Sequence, residues 1–115
     1  MNRQIRTNGS LCMLINENGL QVITLATGAS VTYNPTEVYK ALCYAGADAL
    51  CYVATETAIF SIDPTDGTTV KIGDMPDVQA LAPIGADNLA VLRGASLITY
   101  VPSTEAEAYV RQDLN

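Results

Sequence analysis

Ala58-Ile59-Phe60-Ser61-Ile62-Asp63-Pro64-Thr65-Asp66-Gly67-Thr68-Thr69-Val70-Lys71-Ile72 reads as strand, turn, strand. Two short runs rich in Ile, Val and Thr flank Asp-Pro-Thr-Asp-Gly. In that turn proline presets φ, the aspartates bond local backbone and glycine takes positive φ. Upstream lie two more apolar runs, 40–45 and 49–54, separated by Gly46-Ala47-Asp48 and followed by the polar break Thr55-Glu56-Thr57. With 58–63 and 68–72 they make four strands in 39 residues, the content of a four-stranded antiparallel meander.

The same unit recurs along the chain. Leu11, Leu50 and Leu89 are 39 apart, as are Gly28 and Gly67. Residues 11–47 match 50–86 without a gap at Leu11/Leu50, Cys12/Cys51, Glu17/Glu56, Ile23/Ile62, Gly28/Gly67, Val31/Val70, Ala41/Ala80, Leu42/Leu81, Gly46/Gly85 and Ala47/Ala86. A third copy keeps Leu89, Ile98 and Thr104 in step with Leu50, Ile59 and Thr65. A fixed period in this range is the signature of stacked units. The chain is read as one repeat domain, 1–115, with units 1–39, 40–78 and 79–115. The first unit places strands at 4–7, 11–15, 20–25 and 30–33. Central runs such as Leu50-Cys51-Tyr52-Val53-Ala54 and Leu89-Ala90-Val91-Leu92 are apolar on both faces, which implies sheets covered on both sides.

Two stretches carry helix signals as well. Asn34-Pro35-Thr36-Glu37 has a cap, an early proline and an acid in the first turn, but its repeat partner contains Pro83, so strand is expected for 40–45. Thr104 and Glu107 are spaced as a capping box, and 103–113 is open between edge strand and terminal helix.

Asp48-Ala49-Leu50-Cys51-Tyr52-Val53-Ala54-Thr55, followed by the run from Ile59 to Gly73, resembles a blade of the NHL/PQQ-like β-propeller families. The shared pattern is an apolar strand, a polar turn, an Ile-x-x-Ile-Asp strand with its glycine turn, and an outer strand. The turn aspartate belongs to the second unit alone, with Thr24 and Pro102 read at the matching positions. The resemblance implies an all-β fold of three four-stranded blades. Propeller rings close with about four to eight blades. Three blades leave two apolar faces, so a homodimer forming a six-bladed ring is expected. The alternative is a β-trefoil, which uses three similar units and closes as a monomer.

Composition narrows the function classes. The 49% apolar and 16% charged content marks a folded chain, and a net charge of −6 with six scattered basic residues argues against nucleic-acid binding. No apolar stretch approaches a membrane span, and Met1–Asn8 lacks the apolar region of a secretion signal. The expectation is a cytoplasmic protein, or one carried in a larger assembly such as a virion. With no histidine, the commonest general base and metal ligand at neutral pH is missing. No enzyme activity, cofactor or metal is expected. Asp63 and Asp66 read as turn residues in preference to calcium ligands. Asp48 and Asp87 are expected to close the first hairpin of their units. The three cysteines read as free buried thiols, with Cys43 and Cys51 placed to face each other across a hairpin.

For a ligand or interface surface the candidates are Tyr39 and Tyr44, which flank an inner strand, and Asp74 and Asp77 in a loop entering the third unit. The expected function is a non-enzymatic structural or protein-interaction module that self-associates, with a protein partner. The alternative is a small oligomeric glycan-binding lectin, disfavoured by the lack of tryptophan.

Overall fold

The computed structural model describes residues 4–85 and 88–114. Among these every regular element is a strand. β1 (Gln4–Thr7), β2 (Leu11–Ile15), β3 (Leu20–Thr24) and β4 (Ser30–Tyr33) form the first sheet. β5 (Ala41–Ala45), β6 (Leu50–Ala54), β7 (Ala58–Ile62) and β8 (Thr69–Asp74) form the second. β9 (Val78–Ile84), β10 (Asn88–Arg93), β11 (Ser96–Val101) and β12 (Ala106–Arg111) form the third. Each is an antiparallel meander in sequence order, a blade-type repeat. The Asp63 turn folds as its chemistry dictates: the Gly67 N–H donates to the Asp63 carbonyl at 2.8 Å, with Gly67 at φ 81°.

The sheets stack in chain order, with β5 lying between β1 and β9. Strand alternation gives the middle sheet two buried faces. Leu42, Cys51, Val53 and Ile62 meet Met13, Ile15, Leu20 and Val22 of the first sheet. Ala41, Cys43, Tyr52, Ala54 and Ile59 meet Leu81, Leu89, Val91, Ile98 and Tyr100 of the third. Burying each large aliphatic side chain contributes about 1.5–3 kcal/mol, so these two layers hold the stack together. Polar side chains pin the same joints. The Gln4 amide donates to the Lys40 carbonyl at 3.4 Å and accepts the Leu42 N–H at 3.0 Å. The Tyr100 hydroxyl donates to the Ile72 carbonyl at 3.2 Å. The sheets form layers with open ends, not the self-closing trefoil.

The structure corrects two readings and decides the two stretches that carried helix signals. The first is the register of the third unit. β9 follows β5 by 39 residues, but Ile84 pairs with Asn88 where Ala45 pairs with Leu50, so this connection is one residue shorter. From β10 onward the step is therefore 38. Leu89 corresponds to Cys51 and Ile98 to Phe60, and the partner of Asp63 is Val101, with Pro102 matching Pro64. The turn hydrogen bonds agree: the Glu105 N–H donates to the Val101 carbonyl at 2.7 Å, and Glu105 takes φ 57° where Gly67 stood.

Second, Cys43 pairs with Tyr52 and Cys51 with Tyr44, so the two thiols lie on opposite faces of the middle sheet and do not face each other. Third, 34–37 forms a turn, with Asn34 at φ 54° and the Glu37 N–H on the Asn34 carbonyl, and the strand expected for 40–45 follows as β5. Fourth, 103–113 resolves as a turn and edge strand: β12 gains ladder bonds from β11 that an isolated short helix would lack. Asp48 accepts the Tyr52 hydroxyl at 3.2 Å beside its hairpin, whereas Asp87 lies outside the described residues.

Candidate functional site

The four sequence candidates do not converge. Tyr39 is buried between the first two sheets, its hydroxyl accepting from Asn34 Nδ2 at 3.0 Å; the same Nδ2 reaches Thr69 Oγ1 at 3.0 Å. Burial raises the Tyr39 pKa against the lowering effect of the Asn34 bond. Tyr44 packs half-buried on the same layer. Asp74 is exposed and ion-paired with Lys71 at 2.6 Å. Asp77, also exposed, takes φ 61° while its N–H reaches the Glu56 carbonyl at 3.4 Å. Tyr39 and Tyr44 thus belong to one sheet–sheet joint, and the two aspartates flank the loop that buries Met75 in the other.

Chemically the interior is quiet. Burial pushes the thiols of Cys43 and Cys51 up to about 12, from an ordinary 9.0. Asp63 is held low by the Thr65 hydroxyl at 2.6 Å and the Thr65 N–H at 2.9 Å, which is turn chemistry. Among the described residues no cluster of three His, Cys, Asp or Glu side chains could hold a metal ion. No helix there is long and apolar enough to cross a membrane.

The raised thiol pKa values set a pH dependence. The folded state keeps both protons that the unfolded chain releases near pH 9, so their stabilising effect is complete below that and is lost as pH rises toward 12. Tyr39 and Tyr100, both raised by burial, act in the same direction. Denaturant midpoints should fall from pH 8 to pH 11, and fall less in a Cys43→Ala/Cys51→Ala chain. Equal slopes in the two chains would show that the thiols carry no part of it.

What the structure does assemble is a pair of uncovered faces at the ends of the stack. On the first sheet Ile5, Thr7, Cys12, Leu14, Gln21 and Ile23 point away from the middle sheet. Ile5 is 58% exposed, and Cys12, Leu14 and Ile23 are half-buried. On the third sheet the outward set is Ala80, Ala82, Ile84, Ala90, Leu92, Leu97 and Thr99, continued by Ala106 and Ala108. The first-sheet set contains no charge; on the third sheet Arg111, opposite Leu97 on the edge strand, brings one and is ion-paired with Asp113. Sequence reasoning counted these faces without locating them; the signal was the two-sided apolarity of the central strands.

No protein-family model matches the chain, and no curated protein matches it in sequence. Solved structures do match in shape. PorZ, a surface component of the type-IX secretion system of Porphyromonas gingivalis, superposes with a TM-score of 0.78 at 15% identity, over 96% of this chain and 16% of that one. A chain of the nidogen/laminin complex gives 0.76 at 9%, over 92% and 43%. The extracellular domain of a candidate one-component system of B. thetaiotaomicron gives 0.75 at 18%, over 100% and 17%. At these identities the likeness is one of fold, and the chain spans less than half of each of these structures.

Proposed function

We propose that this chain is a non-enzymatic protein-interaction module of the β-propeller type, completing a ring by associating with a second copy. The supporting observation is the pair of end faces. Each is largely apolar and built from the positions that the middle sheet buries, with Arg111 at the outer edge of the third-sheet face. Contiguous faces of this kind mark interaction sites in soluble proteins. Burial holds the Cys43 and Cys51 thiols protonated, and the sequence has no histidine to serve as a neutral-pH base. Six blades fall within the range in which rings close, and three do not. Mass in solution tests the proposal: a species twice the 12.2 kDa of the chain is expected, and a lone 12.2 kDa species over the whole accessible concentration range overturns it.

A further inference from the structure

The geometry points to a head-to-tail contact in which the outward face of the third sheet receives the outward face of the first sheet of a second copy; this rests on the self-association proposed above. Each internal joint uses the same two kinds of surface. The face a sheet turns to the next unit is Met13, Ile15, Leu20 and Val22 in the first and Tyr52, Ala54 and Ile59 in the second. Strand pairing carries these positions onto Ala90, Leu92, Leu97 and Thr99 of the third sheet, where no other sheet of the described residues covers them. The face a sheet turns to the preceding unit is Leu42, Cys51, Val53 and Ile62 in the second and Leu81, Leu89, Val91 and Tyr100 in the third. The first-sheet equivalents are Ile5, Cys12, Leu14 and Ile23, also uncovered.

The chain therefore ends in the two complementary halves of a joint it has already built twice, and a second copy offers both. Ala41 and Cys43 lie in the layer that receives the third sheet, and their equivalents Ala80 and Ala82 stand on the third-sheet end face beside Ile84, Leu92 and Leu97. Two head-to-tail contacts between two copies close the ring, whereas a rotation that failed to close would give filaments.

The chain supplies its own probe. Cys12 lies on the first-sheet end face, and Cys43 and Cys51 are 1% and 0% exposed. In Ala90→Cys a second thiol stands on the opposite end face. Sheets pack roughly 10 Å apart, so the two end-face thiols of one chain, separated by three layers, are beyond a short bis-maleimide. Treating the Ala90→Cys protein with that reagent should give a linked dimer as the main product, with Cys12 of one copy joined to the introduced thiol of the other. The dimer link should vanish in Cys12→Ser/Ala90→Cys. A Cys12–Cys12 link in the unaltered chain, or a link between two introduced thiols in Cys12→Ser/Ala90→Cys, overturns the head-to-tail contact while leaving self-association standing. Thr99→Cys, with Ala90 kept, repeats the test should Ala90→Cys not fold. A monomer in solution with no link in either variant overturns both proposals.

Discussion

Gly73→Ala should lower folding stability by about 2–4 kcal/mol, although the residue is small, lies at a sheet edge and has an ordinary φ. Gly73 follows the extra residue of a bulge: Ile59 pairs with Gly73 and Phe60 with Lys71, leaving Ile72 unopposed. The bulge aims the Ile72 carbonyl at the third sheet, where the Tyr100 hydroxyl donates to it. A Cβ on residue 73 would fall on that hydroxyl oxygen and sit 3.2 Å from the Tyr100 Cζ. Tyr100 is 1% exposed and wedged among Leu89, Val91 and Ile98, so it cannot swing aside without opening the joint. Overpacking a filled interior costs about 1–3 kcal/mol, and losing a buried hydrogen bond adds about 1. Tyr100→Phe removes the colliding oxygen. Alone it should cost about 1 kcal/mol, and in its background Gly73→Ala should cost at least about 1 kcal/mol less than in the unaltered chain. Strict additivity in urea unfolding of the four proteins would show that the collision does not occur.

Gly19→Ala is the second large effect, expected at about 3 kcal/mol or more against about 1 for Gly28→Ala. Both glycines are left-handed, at φ 74° and 76°, so each alanine bears the same conformational penalty. Their surroundings differ. Gly28 has nothing within 4 Å of an added Cβ, whereas at Gly19 that atom would overlap the Tyr33 and Asn34 carbonyl oxygens and lie 2.8 Å from the Asn34 carbonyl carbon. Those are backbone atoms at the end of β4 and the start of its connection to β5, and the Gly19 N–H is already tied to the Glu37 carbonyl of that connection at 2.8 Å. Relief requires moving the segment that carries Asn34 and Tyr39, and with it the joint between the first two sheets. Denaturation midpoints of the two variants, compared at equal slope, isolate the steric part. Equal losses would mean that the hairpin and the connection are not in contact.

Strand positions were legible because turn chemistry brackets them. Pro64 and Gly67, Asn8 and Gly9, and Gly46 each end a run at a place the physics fixes locally. The slip of the third unit was not legible, and the reason is burial on both sides. In Leu89-Ala90-Val91-Leu92 a one-residue shift exchanges apolar for apolar, so the sequence keeps no record of which face a residue serves. The same ambiguity set Cys43 and Cys51 on one face when pairing separates them. Tyr39 was a ligand or interface candidate because it flanks an inner strand; the Asn34 amide that satisfies its hydroxyl comes from a left-handed turn, and the local pattern there spelled a helix cap instead. The end faces were implied by the count of units, but the residues on them follow only from strand pairing.

The linear order of the three sheets has a thermodynamic reading. Each layer couples only to its neighbours, so the chain behaves as a short one-dimensional lattice with two boundaries. The middle layer is held by two couplings and the outer layers by one each. Opening should therefore begin at a boundary and work inward, with the residues around Val53 and Ala54 the last to exchange their amide protons. A closed circuit has no boundary. Joining the ends would give every layer two couplings, and fraying at the termini would become cooperative with the unfolding of the whole.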